Sequence, residues 1–293
     1  MSVVIASVSG RPALDGCLGA LTSQQGEVSV EILVVERRGA GARGALAERF
    51  PDVRVILAEA DASLLAMRAA GMRAAGGRMI AVLGDAFRPA PGWLQAIVNF
   101  DGHGDVVLGG AVEKGRGSGV VDWAAFFCEY ARFMPPVPRG PAKDVPGGNC
   151  VHGRQVLDRF GLAPGEEVWE SLLHGLMRSL GVALISDPDL LVYHEKAFTF
   201  RGFLAQRYHY SRSLVAMRFA TAPWWKRVAF VFATPLLPGL VLARLAVLVA
   251  RKGRHRGPFL LSLPVIALFA MSWAWGEAVG ALLGPGASLK RVE

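Results

Sequence analysis

One carboxylate, Asp85, stands just after an apolar run at residues 79–83 and just before a Pro-rich turn. In an open α/β sheet, ligands bind at the carboxyl ends of the strands. A carboxylate there can hold a divalent cation against a diphosphate, because phosphate oxygens and water fill the rest of the coordination shell. The flanking residues, Gly84 and Ala86, offer no further ligand. We expect Asp85 to contact a cation or the bound ligand, and a helix-capping or structural role is the alternative.

Two further polar residues end predicted strands. Glu36 follows the run 31–35 and could accept hydrogen bonds from a nucleobase or a ribose hydroxyl, with a solvated loop carboxylate as the alternative. Arg37 and Arg38 come next, and they could meet phosphate or face water. His194 could complete a metal shell or donate to a leaving diphosphate, with a structural histidine as the alternative.

These residues need a fold that brings several strand ends to one edge. Residues 1–110 alternate short β-branched runs with Ala- and Leu-rich segments, which predicts βαβ units. The predicted fold class is therefore α/β, with a mostly parallel, Rossmann-like sheet flanked by helices. The strands are expected at 3–8, 31–35, 53–57, 79–83 and 105–109, and the helices at 12–24, 45–50, 63–75 and 91–99.

The alternation weakens after residue 110. Residues 113–119 and 135–146 are predicted as loops, because Gly, Pro and charged residues dominate them. Helices are predicted at 122–133, 154–160 and 168–180, and strands at 182–186 and 190–194. The first domain is expected to span residues 1–198.

The C-terminal part has a different composition. Residues 196–293 carry 14 Lys and Arg but only 2 Asp and Glu, which leaves 18 and 22 for residues 1–195. Long apolar runs and aromatic residues accompany the positive charge, a combination typical of a membrane surface rather than of nucleic-acid binding. We therefore expect membrane lipids as partners and no nucleic acid. Residues 199–227 are predicted to form a basic amphipathic helix at the interface.

Two apolar segments, 228–250 and 258–283, are each long enough to cross a hydrocarbon core of ~30 Å. The first domain lacks a secretory signal and is expected on the cytoplasmic side. Two simple spans would then place the basic loop 251–256 outside, against the positive-inside bias. Because Pro235 and Pro238 interrupt the first segment, a re-entrant arrangement is favoured. Two true spans, or helices lying on the surface, are the alternatives.

A series of short motifs, in this order and spacing, resembles the family 2 glycosyltransferases, which have the GT-A fold. The resemblance covers roughly residues 2–215. The segment 83–94 resembles the family's metal-binding DxD motif, with Gly84 and Ala86 where acids are usual. The other motifs are residues 2–12, 31–36, 68–77, 147–161, 166–181 and 192–194.

The resemblance implies a nucleotide-sugar donor and a divalent cation, Mg²⁺ or Mn²⁺. The donor-binding residues that it implies are Ser7, Glu36, Arg68 and Asp85. The implied acceptor-side residues are Gly148, Asn149 and Trp169, and the implied metal ligands are Asp85 and His194.

Inverting transfer needs one carboxylate that takes the proton from the acceptor hydroxyl. Counting back from Gly181 places the family's catalytic acid on Glu170, with Trp169 instead of the usual preceding Glu. Glu166 and Glu167 are rivals, with Glu167 the stronger. They could also be first-turn acids that match the helix dipole, and the chain could lack a base altogether.

The resemblance therefore predicts a membrane-anchored glycosyltransferase that moves a sugar from a nucleotide diphosphate to a lipid-linked or cell-envelope glycan acceptor. The alternative is a catalytically impaired relative that acts as a membrane scaffold or partner subunit. Four positions favour that alternative, since each lacks a residue that the chemistry normally uses: Arg37, Gly84, Ala86 and Trp169. A nucleotidyltransferase is disfavoured because the chain has no Gly-rich, Lys-bearing N-terminal loop.

Overall fold

The computed structural model describes residues 1–25, 28–100, 105–115, 119–160 and 169–292. The chain forms two units. The first comprises Met1–Gly115 and Phe133–Lys196, and the second comprises Arg116–Arg132 and Ala197–Glu293. The first unit thus ends close to the predicted boundary at residue 198. The segment 116–132, which the sequence assigned to the first domain, belongs to the second unit.

One sheet of nine strands lies in the described part of the first unit. The strand order is β3-β2-β1-β4-β8-β6-β9-β5, and β7 pairs with β9. The strands are β1 (Ser2–Ser7), β2 (Glu31–Glu36), β3 (Val53–Leu57), β4 (Met79–Gly84), β5 (Phe87–Pro89), β6 (Val106–Lys114), β7 (Gly140–Pro141), β8 (Asn149–Gly153) and β9 (Ala183–His194).

The helices of the first unit alternate with its strands along the chain. The helices of the second unit come after them, except for α5, which lies between β6 and β7. In chain order they are α1 (Arg11–Thr22), α2 (Ala40–Arg49), α3 (Leu64–Ala74), α4 (Trp93–Val98), α5 (Val120–Tyr130), α6 (Arg154–Phe160), α7 (Glu170–Ser179), α8 (Phe200–Arg218), α9 (Trp224–Ala233), α10 (Leu237–Lys252) and α11 (Arg256–Leu283).

The strand directions bring several strand ends to one edge of the sheet. Strands β1 to β4 are mutually parallel. Strand β8 runs antiparallel to both β4 and β6, so β6 runs in the same direction as β4, and β9 is parallel to β6. The carboxyl ends of β1, β2, β4, β6 and β9 and the amino end of β8 therefore share one edge, which we call the carboxyl edge.

The first strands form where the sequence predicts because they are apolar on both faces. Strands β1 and β4 are buried along almost their whole length, as parallel strands covered by helices on both sides require. In α1, Leu14, Leu18 and Leu21 form one buried stripe at helical spacing. The predicted α/β class with helices flanking a sheet is confirmed.

The other half of the sheet differs from the prediction. Strand β6 continues through Lys114 into the predicted loop 113–119, and β9 is one strand rather than two. Both pair in parallel on either side of a bulge between Gly110 and Val112. Strand β5 was expected to be a turn, but its three residues pair antiparallel with the end of β9. Pairing with distant strands overrides local composition here.

In the second unit, aromatic side chains pack α5 and α8 against α11. The rings of Phe127 and Phe259 meet edge to face at 5.1 Å, and those of Phe203 and Phe269 at 4.7 Å. Further along α11, Gly276 and Gly280 face the backbone of α8 so closely that a Cβ at either position would overlap it. The small residues therefore allow the two helices to approach at backbone distance.

Two helical stretches of the second unit are long and apolar enough to cross a membrane. They are Trp224–Lys252 and Arg256–Leu283, and they contain the two predicted segments. A 3₁₀ turn at Thr234–Leu236 interrupts the first stretch where Pro235 was expected to break it. Only 6% of the most apolar part of the first stretch is buried, against 39% for the second.

Candidate functional site

The carboxyl edge brings together three of the predicted donor-binding residues. Strand β1 lies between β2 and β4, and Ser7 at its end is in register with Glu36. Asp85 follows the end of β4, where Gly84 is in register with Ala6. Ser7, Glu36 and Asp85 are all buried. A parallel sheet thus concentrates two carboxylates at the point where ligands bind in such folds.

Asp85 is held by the loop that follows β1. Its Oδ2 accepts hydrogen bonds from the backbone N–H groups of Val8 (2.6 Å) and Ser9 (2.5 Å). Its Oδ1 accepts a bond from the Ser9 hydroxyl at 2.8 Å. The carboxylate is only 3% exposed, so these bonds replace its hydration. Asp85 therefore fixes the position of residues 8 and 9 relative to the end of β4.

The described residues at this corner offer few ligands to a divalent cation. A carboxylate has about four lone-pair sites, so Asp85 retains one, on Oδ1. Gly84 and Ala86 supply no ligand. The described residues at this corner thus fit a cation that takes one carboxylate contact from the chain and the rest of its shell from a diphosphate and water.

Glu36 is paired with Arg38 across the turn that follows β2. Its Oε1 accepts from the backbone N–H and the Nε of Arg38, both at 2.8 Å, and its Oε2 accepts from Nη2 at 2.6 Å. The same Nη2 donates to the Ser7 hydroxyl at 2.6 Å. Burial alone would raise the pKa of Glu36, but the hydrogen bonds from Arg38 hold it below its ordinary value. Glu36 is therefore an ionised, preorganised acceptor.

Arg38 is the functional candidate that the sequence reasoning left undecided. Its side chain is 38% exposed, so it joins the buried Glu36 to solvent. Arg37, by contrast, donates to the backbone carbonyl of Ala62 at 3.0 Å. A carboxylate two residues before an arginine in a turn is a sequence signal that could have found this pair.

Phe87 occupies the space between the ends of β4 and β8. A Cβ added at Gly148 would stand 2.9 Å from the Phe87 ring and 3.5 Å from a guanidinium nitrogen of Arg68. A Cβ added at Gly84 would stand 3.0 Å from the same ring. Arg68 thus lies beside Gly148, which was expected on the acceptor side, and its part in donor binding stays a prediction. The two glycines are needed because an aromatic ring fills the corner.

Asn149 is a structural clamp as the structure places it. Its amide nitrogen donates to the carbonyls of Ala111 (3.1 Å) and Leu190 (2.8 Å), and its oxygen accepts from the Trp93 indole at 3.0 Å. The side chain is fully buried, and both amide hydrogens are used. A Cβ at Gly110 would overlap this amide and the Leu190 carbonyl, so glycine is required there.

His194 ends β9 on the carboxyl edge and is buried. Its ring meets the Phe87 ring edge to face at 5.5 Å, and its backbone carbonyl accepts from Lys114 Nζ at 3.3 Å. Burial, and then the charges of Lys114 and Lys196, lower the pKa of His194 to about 3. The ring is therefore neutral at physiological pH, and two lysines beside it disfavour a cation there.

The remaining predicted residues lie at the start of α7. Trp169 is buried and directly precedes the helix, and its carbonyl accepts the backbone N–H of Leu172 and of Leu173. Glu170 is the first residue of α7. Glu166 and Glu167 lie outside the described residues. The structure therefore locates the backbone of the candidate base Glu170 and leaves its role a prediction.

A second group of chemistry-bearing side chains lies inside the first unit. Cys150, His152 and His174 are buried, and one ligand atom from each lies within 4.8 Å of the others. The Nε2 atoms of the two histidines are 3.2 Å apart. Burial, and then the proximity of His174, lower the pKa of His152 to about 3. The sequence reasoning did not find this group, because its meeting depends on how helix α7 packs against strand β8 and not on a local spacing.

The Arg38–Glu36 pair predicts a pH-dependent stability difference. Replacing Arg38 by Met (R38M) leaves Glu36 buried without its main donor, which should lower stability at pH 7 by about 1–2 kcal/mol. The pKa of Glu36 in the folded wild type lies below its unfolded-state value. Its contribution to the free energy of unfolding is therefore full above the unfolded-state pKa and is lost as the pH falls through the folded-state pKa. In R38M, burial raises the pKa of Glu36. The difference in the free energy of unfolding between wild type and R38M should therefore narrow as the pH falls from 7 to 4. Urea unfolding of the full chain in detergent measures it.

Arg54→Met is the matched control, because Arg54 pairs with Glu31 at the other end of the same strand. Both side chains of that pair are substantially exposed, so we expect a loss below about 1 kcal/mol. Equal losses in the two variants at every pH would contradict the assignment of Glu36 as a buried carboxylate that depends on Arg38.

Comparison with solved structures places this fold among known proteins. A mannosyltransferase, PcManGT from Pyrobaculum calidifontis in complex with GDP-Man and Mn²⁺, is 17% identical with a TM-score of 0.56. The match covers 92% of this chain and 85% of that chain. Residues 1–349 of S. aureus TarS are 13% identical with a TM-score of 0.51, covering 90% and 89%.

No protein-family model matches the chain, and no curated protein does. At such low identity the structural likenesses show the fold alone. The chain therefore has an α/β fold that is also found in glycosyltransferases.

Proposed function

We propose that this protein is an inverting glycosyltransferase that moves a sugar from a nucleotide-diphosphate donor to a lipid-linked or cell-envelope glycan acceptor. The supporting observation is the convergence of Ser7, Glu36, Arg38 and Asp85 on the carboxyl edge. A similarly folded mannosyltransferase was solved with GDP-Man and Mn²⁺. We infer family 2 membership and a degenerate DxD motif at residues 84–86 from the sequence motifs.

In this proposal the donor binds at the Ser7–Glu36–Arg38 group. Glu36 is ionised and accepts hydrogen bonds from the base or from ribose hydroxyls. The partly exposed guanidinium of Arg38 lies beside it, and its Nη1 can donate to a diphosphate while Nε and Nη2 stay bonded to Glu36 and Ser7. Arg68, near Gly148, supplies a second positive charge. Together the two arginines offset the charge that develops on the leaving diphosphate.

A Mg²⁺ or Mn²⁺ ion bound with the donor would use the free lone pair on Asp85 Oδ1 and the diphosphate oxygens. Such an ion would supply further charge neutralisation at the leaving group. His194 is a weaker candidate ligand because Lys114 and Lys196 lie close to it. We assign Asp85 a second role that needs no ion, which is to hold residues 8 and 9 in place at the donor site.

For the acceptor, we propose Glu170 as the base, with Glu167 as its rival. A carboxylate at the start of α7 would take the proton of the acceptor hydroxyl as that oxygen attacks the anomeric carbon. Trp169 is buried directly before the helix and positions its first turn. Gly148 and Asn149 belong to the acceptor side as positioning residues, since Asn149 uses its amide within the chain.

We further propose that the second unit holds the enzyme at the cytoplasmic face of a membrane. The helical stretch Trp224–Lys252 leaves most of its apolar surface uncovered, and Trp224 is 75% exposed. Such a surface is stable in lipid rather than in water. Anchoring would place a lipid-linked acceptor at high local concentration beside the first unit. A re-entrant path for this stretch keeps the basic residues 251–256 on the cytoplasmic side.

A catalytically impaired membrane scaffold is the second candidate. Three hydrogen bonds engage Asp85, and Arg38 engages Glu36. In a scaffold, making these contacts would be the only role of Asp85 and Glu36. In an enzyme, Arg38 must also donate hydrogen bonds to the bound donor. Measuring donor binding and then turnover therefore separates the two candidates.

Replacing Glu36 by Gln should weaken donor binding about tenfold or more, because a neutral amide loses the charge-assisted bonds. Glu170→Gln should leave donor binding unchanged and lower turnover at least about 100-fold. Calorimetry and nucleoside-diphosphate release, with GDP-mannose and a panel of UDP-sugars and with or without Mn²⁺, measure both on the full chain in detergent.

Glu31→Gln is the matched control, since Glu31 lies on the same strand at the opposite edge of the sheet. It should bind the donor within about twofold of wild type. Donor binding with no turnover in the wild type would favour the scaffold. No binding of any nucleotide sugar would reject the donor site.

The double replacement Leu240→Glu with Val247→Glu should release the chain from membranes. Both side chains are exposed on the surface of α10, where the proposal places lipid around them, and a carboxylate surrounded by lipid is costly. Flotation with lipid vesicles measures the bound fraction. The control pair Leu57→Glu with Val98→Glu, exposed apolar residues of the first unit, should float as the wild type does. Equal flotation of both double variants would contradict the proposed anchor.

A further inference from the structure

Strand β8 and helix α7 bring two imidazoles and one thiol to one point in the core of the first unit. Cys150 and His152 are two residues apart on β8, so they face the same side of the sheet. His174 of α7 meets them there, with the two histidine rings 5.4 Å apart between centroids. All three side chains are fully or almost fully buried.

The surroundings of this group are apolar. Cys150 belongs to a core cluster with Ile80, Val82, Val107 and Met177, and His152 pairs in register with Ile80 and Val107. Unsatisfied polar atoms in such a core cost about 1–3 kcal/mol each. The Nδ1 atoms of His152 and His174 have no hydrogen-bond partner within the described ranges of the chain. Two neutral rings that share one proton between their Nε2 atoms leave this cost unexplained.

The spacing of the two histidine nitrogens matches a metal site. Zinc–nitrogen bonds of about 2.0–2.1 Å at a tetrahedral angle place two nitrogens about 3.3 Å apart. The two Nε2 atoms are 3.2 Å apart, and the three ligand atoms lie within 4.8 Å of one another. An ion would need to draw the sulfur inward by about 1 Å to reach a bond of about 2.3 Å.

The chemistry of the ligands selects the metal. Thiolate and imidazole favour Zn²⁺ over Mg²⁺ or Mn²⁺, which prefer oxygen ligands. Asp144 Oδ1 lies 3.9 Å from His174 Nδ1. A carboxylate behind a ligating imidazole orients the ring and strengthens its bond to the metal. At 3.9 Å the two groups make no hydrogen bond, and a shift of about 1 Å on metal binding would bring Asp144 into that role.

We propose that Cys150, His152 and His174 bind one Zn²⁺ ion that ties strand β8 to helix α7. On binding, Cys150 gives up its thiol proton to solvent and its thiolate joins the two neutral imidazoles, and Asp144 orients His174. The ion is structural. It would hold together the elements that carry Asn149 and Glu170, and it does not depend on the proposed transferase activity.

Metal content tests this site directly. The full chain, purified in detergent without an affinity tag and dialysed after exposure to Zn²⁺, should retain about one zinc per chain by mass spectrometry. His174→Gln and Cys150→Ser should each lose it. Cys128→Ser is the matched control, because Cys128 lies in the second unit, and it should keep the metal.

Two measurements on the wild-type chain stand even if the variants fail to fold. Removal of zinc with a chelator should lower the melting temperature, and added Zn²⁺ should restore it. Replacement by Co²⁺ should give a thiolate-to-cobalt charge-transfer band, which Cys128→Ser should retain. A wild-type chain without bound zinc, or with a melting temperature that neither zinc nor chelator moves, would overturn the site. A charge-transfer band that survives in folded Cys150→Ser would overturn it too.

Discussion

The candidate site depends on the need to satisfy two carboxylates that are buried at one edge of a sheet. Glu36 is fully buried and Asp85 is 3% exposed, so neither can rely on water. Strand β1 lies between the strands that carry them, and the chain resolves the problem differently on each side. Asp85 takes the backbone N–H groups that follow β1, while Glu36 takes the guanidinium of Arg38. The loop after β1 is thereby fixed to Asp85, while Arg38 links Glu36 to the Ser7 hydroxyl at the end of β1.

A second polar contact organises the other half of the sheet. Asn149 joins β8 to the backbone of β6 and β9 and to the indole of Trp93. The bulge in β6 and the glycine at position 110 make room for it. These buried hydrogen bonds set the register of strands whose apolar side chains alone would allow several alignments. The strand ends at the carboxyl edge therefore have defined positions.

The sequence predicted the parts of the fold that local patterns determine. Strands β1 to β4 appear within about two residues of the expected bounds, because continuous apolar runs form strands that are buried on both faces. The interruption at Pro235 was likewise local. A local pattern does not encode pairing with distant strands. The existence of β5, the length of β6 and the continuity of β9 all depend on such pairing. In β5 and β9, the paired residues are up to 107 positions apart in the chain.

The site shows the same division. The types and strand-end positions of Glu36 and Asp85 were readable, and Arg38 stands only two residues from its partner. The partners of Asp85 lie 76 and 77 residues away, so its role in holding a loop was invisible before the sheet order was known. The same holds for His152 and His174, whose meeting depends on how α7 packs against β8.

Hydrogen–deuterium exchange of the full chain in detergent, with and without a bound nucleotide sugar, tests the assignment of the donor site most directly. If the donor binds at the group formed by Ser7, Glu36 and Arg38, the amides of residues 7–9 and 36–38 should become protected, while those of Glu31 and Gly76 at the opposite edge should not change. Bound nucleotide that protects other segments and leaves these residues unchanged would contradict the assignment.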